Sequence, residues 1–366
     1  MLPAKPEAPQ FLICGPYGAR TTGIVLVAGR KTLLWNIRDY ASDSYSGCYF
    51  NIDKQGFKSS KIMKKYLFTT LTFLGLTAHS GQCQTIDTLI NVGGYRLHFH
   101  IIKGKGMPIL FEAGGGGDGA DWDPAFLKPV ADITGTTLIT YDHPGVGKSE
   151  LDSSNQDIDK HGILQGIEGL EAGLKKLGYD GNIMLVAHSF GGFCATLYAA
   201  RHPDKVKSAV LFDINHVCWF IDSYVDSVTT LRRKYWDTAK NRDLASYYQG
   251  LNLPNTVALM RKTPFPATIP VIDLVAGNAP PVQVFDSTKE ARWRDCHKQF
   301  AVAEPNRQGI TAYGCGHFIF RDNPLLAVSA IVKAYTGTQG REQGYEILKR
   351  FLSYSLEEAN HKNAPR

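Results

Sequence analysis

"NIMLVAHSFGGFCATLYAARHP", residues 182–203, is the stretch whose reading decides the fold. Its first part is a short apolar run of the kind that forms a buried strand. Its second part reads as a helix stopped by Pro203. Ser189 stands at the joint, with Gly191 two residues after it and Ala187 two before. A strand that passes straight into a helix makes a sharp turn, and small residues on either side let that turn close. The side chain at its apex then projects above the sheet edge, next to a helix N-terminus that favours negative charge. A serine hydroxyl is a weak nucleophile near neutral pH. It needs a base, a third group to orient that base, and N–H donors for an oxyanion. Whether Ser189 is a nucleophile or only a turn residue therefore depends on the rest of the chain.

Outward from this stretch the chain alternates. "DTLINVGGYRLHFHIIKG" reads as a hairpin turning at Gly93-Gly94. "MPILFEA", "TLITYD", "VKSAVLFD" and "IPVIDLVAG" are short apolar runs closed by glycine or aspartate, as buried parallel strands are. "GILQGIEGLEAGLKKLG" has helical spacing and a glycine stop at Gly178. Repeated strand–helix units predict a mostly parallel sheet covered on both faces, an α/β fold. The alternation lapses over 214–266, which is helical, aromatic and without a strand; it reads as a helical cap inserted between two strands. After "GITAYGCGH" as last strand, "PLLAVSAIVKAYTG" closes the core as a helix, and 339–366 adds an amphipathic helix and a polar tail. The core is then expected over 84–213 and 267–338.

The net charge of +6 is confined to the first part of the chain. Residues 1–83 hold ten of the 40 Lys/Arg and four of the 34 Asp/Glu, which leaves thirty of each sign beyond them. A neutral body carries no electrostatic footprint for nucleic acid. The basic excess borders "KSSKIMKKYLFTTLTFLGLTAHSGQCQ", in which Lys61, Lys64 and Lys65 precede an apolar run from Leu67 to Ala78. This is the layout of a secretory signal peptide over 63–83, cleaved after Ser80 or Cys83. The apolar run is too short to cross a bilayer of about 30 Å, so no stable membrane span is expected. An exported protein, periplasmic or secreted, follows as the expectation; Gln82 makes Cys83 a poor lipid-attachment site. A leader beginning near Met63 makes residues 1–62 a non-native or disordered extension from a start codon placed too far upstream. The alternative is a genuine segment with a strand at "GIVLVAG". Of seven cysteines, Cys194, Cys218, Cys296 and Cys315 lie beyond the leader, without zinc spacing. An exported chain is expected to oxidise a pair among Cys218, Cys296 and Cys315.

The tetraglycine 114–117 lacks the Lys-Ser/Thr of a phosphate-binding loop and the spacing of a dinucleotide fingerprint. Set beside "AHSFGG", "YDHPGVGKS" at 141–149 and "GCGHF" at 314–318, it belongs to a different pattern. Together these motifs resemble the α/β-hydrolase superfamily over roughly residues 86–336. "FEAGGGGDGADW" at 111–122 and "FDINH" at 212–216 are similar to an exported or membrane-associated bacterial branch of serine hydrolases. Carried over by position, the resemblance implies Ser189 as nucleophile and His317 as general base. The N–H groups of Gly115 and Phe190 would form the oxyanion hole, supported by Gly114, Gly116 and Gly191. Many members carry the acid a few residues past a glycine after the seventh strand. Here "VAGNAPPVQVFD" offers no carboxylate before Asp286. A second family arrangement puts the acid at the end of the sixth strand, where Asp213 closes "SAVLFD". Asp213 is the preferred acid and Asp286 the alternative. In the 141–149 motif, Asp142 is expected to tie down its loop. Of the aromatic residues, Trp122, Trp219 and Phe220 are candidates for an apolar substrate pocket, alongside core packing.

The implied activity is hydrolysis of a carboxylic ester, or a related acyl bond, of a small-molecule substrate through an acyl-enzyme, with no cofactor and no metal. An amidase, peptidase or lactonase on the same residues, or a ligand-binding relative without turnover, are the alternatives. Epoxide-hydrolase and dehalogenase chemistry uses a carboxylate where this chain has Ser189. Substrate identity and oligomeric state are not encoded in any motif.

Overall fold

The computed structural model describes residues 21–28, 31–38, 84–152, 154, 155, 157–239, 244–278 and 287–363. The expected leader and Asp286 lie outside these residues. The chain divides into two compact units, Met1–Ser80 with Ala359–Arg366, and Gly81–Glu358. In the first unit, β1 (Thr21–Ala28) and β2 (Lys31–Arg38) pair antiparallel. They fall in the segment expected as an extension, and β1 covers the "GIVLVA" run.

The second unit is built on eight strands. They are β3 (Thr85–Asn91), β4 (Arg96–Ile102), β5 (Ile109–Glu112), β6 (Leu138–Tyr141), β7 (Ile183–His188), β8 (Val206–Phe212), β9 (Val271–Ala276) and β10 (Arg307–Ala312). Their order across the sheet is β10-β9-β8-β7-β5-β6-β4-β3. The β3–β4 hairpin turns at Gly93-Gly94, and β4 runs antiparallel to β6; every other pairing is parallel. The central strands β5, β6, β7 and β9 are buried at every position, because helices cover both faces of a parallel sheet. The hydrophobic runs of the sequence, without polar alternation, have this origin.

The helices of the core are α1 (Pro124–Thr134), α2 (Ile163–Leu177), α3 (Gly191–Arg201), α7 (Ser287–Val302), the single turn α8 (Ile319–Asp322) and α9 (Pro324–Thr336). α2 packs on α3, and α1 on α9. α1 is a helix the sequence pattern left unassigned; Asp123 caps its N-terminus, accepting a hydrogen bond from the Ala125 amide. Between β8 and β9 the chain forms α4 (Asp222–Ala239), α5 (Leu244–Leu251) and α6 (Leu253–Met260), and no strand among the described residues. α10 (Arg341–Asn363) ends the described chain. Among the described residues no helix is long and apolar enough to cross a membrane.

Cys218 and Cys296 form a disulfide that ties the start of the helical insertion to α7; Cys194 and Cys315 are free and buried.

Candidate active site

In a parallel sheet the loops that leave the carboxyl ends of neighbouring strands converge. Here they bring three residues together from far apart in sequence. Ser189 follows β7, Asp213 follows β8, and His317 lies in the loop after β10. Among the described residues, Ser189 (φ 53°) and Asp213 (φ 46°) alone hold left-handed backbone without being glycine. Such a conformation costs about 1–3 kcal/mol and persists where neighbours over-determine it. Hydrogen bonds to the adjacent strand ends do so here. The Ser189 amide donates to Phe212 O at 3.3 Å, and its carbonyl accepts from Asn215 N at 2.9 Å and Gly192 N at 3.0 Å. The Asp213 amide donates to Leu274 O at 2.7 Å.

Gly191 is required by close approach. A Cβ there would stand 2.5 Å from Ala113 O and 2.6 Å from Glu112 O, so only glycine lets α3 enter beneath the glycine loop. That contact seats the loop beside Ser189. A Cβ on Gly114 would lie 3.4 Å from Ser189 Cβ, and one on Gly115 3.3 Å from Phe190 Cβ. Gly116 takes a left-handed φ of 69° to turn the chain back. The amides of Gly115 and Phe190 make no hydrogen bond among the described residues, as donors held for a ligand would.

His317 Nδ1–H donates to Asp213 Oδ2 at 2.6 Å. The other oxygen, Oδ1, accepts from Ala276 N and from Trp293 Nε1, each at 2.9 Å. Asp213 is wholly buried. Burial alone would raise its pKa. The hydrogen bond and charge of His317, the charge of His297 and the Ala276 amide outweigh it and hold the carboxyl below its usual range. No hydrogen bond joins Ser189 Oγ to His317 among the described residues; such contacts commonly tighten only when substrate binds.

His188, next to Ser189, packs beneath this histidine. Its Nε2–H donates to His317 O at 3.0 Å, and the two rings lie 4.5 Å apart. Burial, followed by the charge of His317, presses its pKa down to about 3, so it is a neutral prop for the loop. Asp142 secures the next loop, accepting from Gly119 N and Lys148 N, each at 2.8 Å.

A cavity of about 320 Å³ lies beside this site on the side of α2 and α5; Gly116 and Phe190 line it, while Ser189 and His317 do not. Gly116, Phe190 and Cys194 meet it from the core, Tyr248 and Gln249 from α5, and Tyr141 from the sheet. The aromatic candidates lie elsewhere. Trp122 sits in the core against Phe111, Phe126, Phe212 and Phe320, and Trp219 and Phe220 pack with Phe193, Tyr224 and Trp293. Their large apolar area is better sheltered there than on a half-polar cavity wall. Gln249 carries no sequence signal, since it reads as one more polar helix residue. Its Oε1 would stand 3.0 Å from a Cβ on Gly115.

Among the described residues, two buried groups each bring three potential metal-ligand atoms within 4.8 Å of one another: Glu112, His143 and Cys194, and His216, Asp273 and His297. Both are hydrogen-bonded clusters. Tyr141 Oη–H at 2.8 Å and His143 Nε2–H at 3.2 Å donate to Glu112 Oε2, and both histidines of the second group donate to Asp273 Oδ2. We assign neither to a metal.

Comparison with known proteins bears on the fold. The alpha/beta hydrolase fold family matches residues 107–227. The cis-3-alkyl-4-alkyloxetan-2-one decarboxylase of Shewanella oneidensis is 33% identical over 122 residues, 33% of this chain and 36% of that protein. The proline iminopeptidase of Saccharolobus solfataricus is 25% identical over 180 residues, 46% of this chain and 54% of that protein. The matched region thus spans between about a third and about half of these relatives' length. A solved epoxide hydrolase of Vigna radiata superposes with a TM-score of 0.52 at 16% identity, over 69% of this chain and 99% of that one, a likeness of fold. The sheet order, the strand-to-helix turn at Ser189 and the match over residues 107–227 together give this chain the α/β-hydrolase fold.

Proposed function

We propose that the protein is a serine hydrolase that cleaves a carboxylic ester, or a related acyl bond, through an acyl-enzyme. The observation that carries this reading is the 2.6 Å bond from His317 Nδ1–H to a buried Asp213, beside a serine held in left-handed backbone. With Nδ1 committed to Asp213, the neutral ring keeps Nε2 free to accept a proton. Ser189 Oγ attacks the carbonyl carbon as its proton passes to His317 Nε2. The oxyanion takes the free amides of Phe190 and Gly115. His317 then returns the proton to the leaving alcohol, and the ester bond breaks to leave acyl-Ser189. A water molecule, deprotonated by His317, releases the acid and restores Ser189. Asp213 fixes the tautomer and stabilises the imidazolium. Gln249 and Tyr248 on the cavity wall supply polar contacts for one arm of the substrate.

The helical insertion acts as a cap, since α5 brings Ser246 and Gln249 against the glycine loop. Export is supported by the Cys218–Cys296 disulfide, because such bonds persist in oxidising compartments. The test is hydrolysis of a panel of p-nitrophenyl esters of increasing acyl length. Turnover of at least one ester by the wild type, abolished in Ser189→Ala, supports the reading. Equal turnover by both proteins overturns it.

A further inference from the structure

Behind Asp213 lies a second buried acid–base pair that this mechanism does not use. Asp273 is in the middle of β9 and His297 on α7; both are almost wholly buried. His297 Nδ1–H donates to Asp273 Oδ2 at 2.8 Å, and His216 Nε2–H donates to the same oxygen at 3.3 Å. The opposite ring atom, His297 Nε2, lies 4.0 Å from Asp213 Oδ1, and the Ile214 carbonyl also faces the ring. The imidazole thus stands between two buried carboxylates.

We propose that Asp273 holds His297 between the two carboxylates as a buried counter-charge to Asp213, and that this pair sets the pH dependence of the hydrolytic site. Asp273 and His297 are then positioning residues of the hydrolytic site, and the proposal rests on the reading of Ser189, His317 and Asp213 given above. Two carboxylates cannot both stay ionised in such a place without a counter-charge. The groups facing His297 are Asp273 from β9, Asp213 and His216 from the segment after β8, the Ile214 carbonyl, and Trp293 from its own helix. His216 does not supply the charge, because burial presses its pKa down. Arg307 on β10 is a further cation coupled to Asp273. For His297, burial disfavours the charge, but the charge and hydrogen bond of Asp273, then the charge of Asp213, raise its pKa above the ordinary value.

The chemical consequence concerns His317. It faces Asp213 and the neutral His188, with the Trp293 ring 6.4 Å away. An isolated Asp213 carboxylate would favour the charged form of His317, which cannot accept the Ser189 proton. A cation on the far side of Asp213 offsets part of that field and leaves the His317 ring able to accept the Ser189 proton. Trp293 completes the arrangement by bonding the oxygen nearest His297.

The test combines a pH profile with a direct view of the ring, on the full chain. In His297→Gln the acidic limb of kcat/KM for ester hydrolysis should move upward by about one pH unit. In Asp273→Asn it should move upward by less, since His297 then loses its proton as well. A limb that stays in place in His297→Gln, or moves downward in Asp273→Asn, overturns the proposal. Should the variants not fold, the 15N-labelled wild type carries the test. One slowly exchanging histidine, placed by its proximity to the Trp293 indole, should keep protons on both ring nitrogens to a higher pH than the histidines of the unfolded chain. A ring that loses its second proton at the same pH as those, or below it, overturns the proposal. Failure of Ser189 to react with a fluorophosphonate would instead sink the hydrolase reading and leave the state of His297 to be read on its own.

Discussion

Asp213→Asn tests the division of labour in the site at the level of single atoms. Oδ1 of Asp213 accepts two hydrogen bonds, from Ala276 N and Trp293 Nε1. In asparagine only the carbonyl oxygen can take that place, because the reverse orientation sets an NH2 group against two N–H donors. The amide nitrogen must therefore face His317 Nδ1 and donate to it. The neutral imidazole then carries its proton on Nε2, where it cannot accept one from Ser189. The side chain keeps its shape, so the fold survives while the base is held in the wrong tautomer. A loss of about 10⁴-fold in kcat is expected, or about 5 kcal/mol of transition-state stabilisation. The assay is steady-state hydrolysis of the best p-nitrophenyl ester, with thermal unfolding as the control for folding. Asp286→Asn serves as the comparison and should retain wild-type turnover. A folded Asp213→Asn enzyme within tenfold of wild type would refute the assignment of Asp213, most directly if Asp286→Asn were the inactive one.

Gly191→Ala should destabilise the protein by about 3 kcal/mol and reduce turnover, because its methyl meets backbone oxygens of the glycine loop at 2.5 Å and 2.6 Å; an unchanged melting temperature would contradict the close-approach argument. Cys218→Ser with Cys296→Ser opens a bridge across a separation of 78 residues. Chain-entropy reasoning gives a loss of up to about 4.5 kcal/mol in chemical denaturation under oxidising conditions, and no difference from wild type under reducing ones. His188 titrates near 6.5 when unfolded and is pressed to about 3 in the fold. Its contribution is complete above 6.5 and is lost as pH falls toward 3, by about 1.4 kcal/mol per unit. His188→Gln should flatten that part of the stability curve; a parallel curve would mean that His188 takes a proton in the folded state.

Much of this could be read from the sequence because the decisive signals are local. An apolar run followed by Ser189 and Gly191 specifies strand, turn and helix within a dozen residues. Gly178 marks the end of α2 with φ 77°. Asp213 is reached only through the family resemblance, which puts an acid at the end of the sixth strand, and Asp286 stands beside it as the alternative. The two donors to Asp213 were not legible, since Ala276 and Trp293 are 63 and 80 residues away and read as strand and core. Asp273 and His297 escaped for the same reason: each looks like an isolated polar residue in an apolar element, and only the sheet brings them together. The cavity wall is not legible from residue type. Large aromatic side chains suggest an apolar cleft, but Trp122 is 1% exposed and part of the core. The observed cavity is walled by residues such as Tyr141 and Gln249, whose place depends on how α2 and α5 lie against the glycine loop.

The central claim is that Ser189 is the nucleophile of this fold. The most direct measurement is treatment of the folded protein with a fluorophosphonate, followed by peptide mapping by mass spectrometry. The account predicts one phosphonyl adduct per chain, on the peptide containing Ser189, absent in Ser189→Ala and strongly slowed in His317→Gln. A folded wild-type protein that takes no adduct, or takes it at another residue, contradicts it.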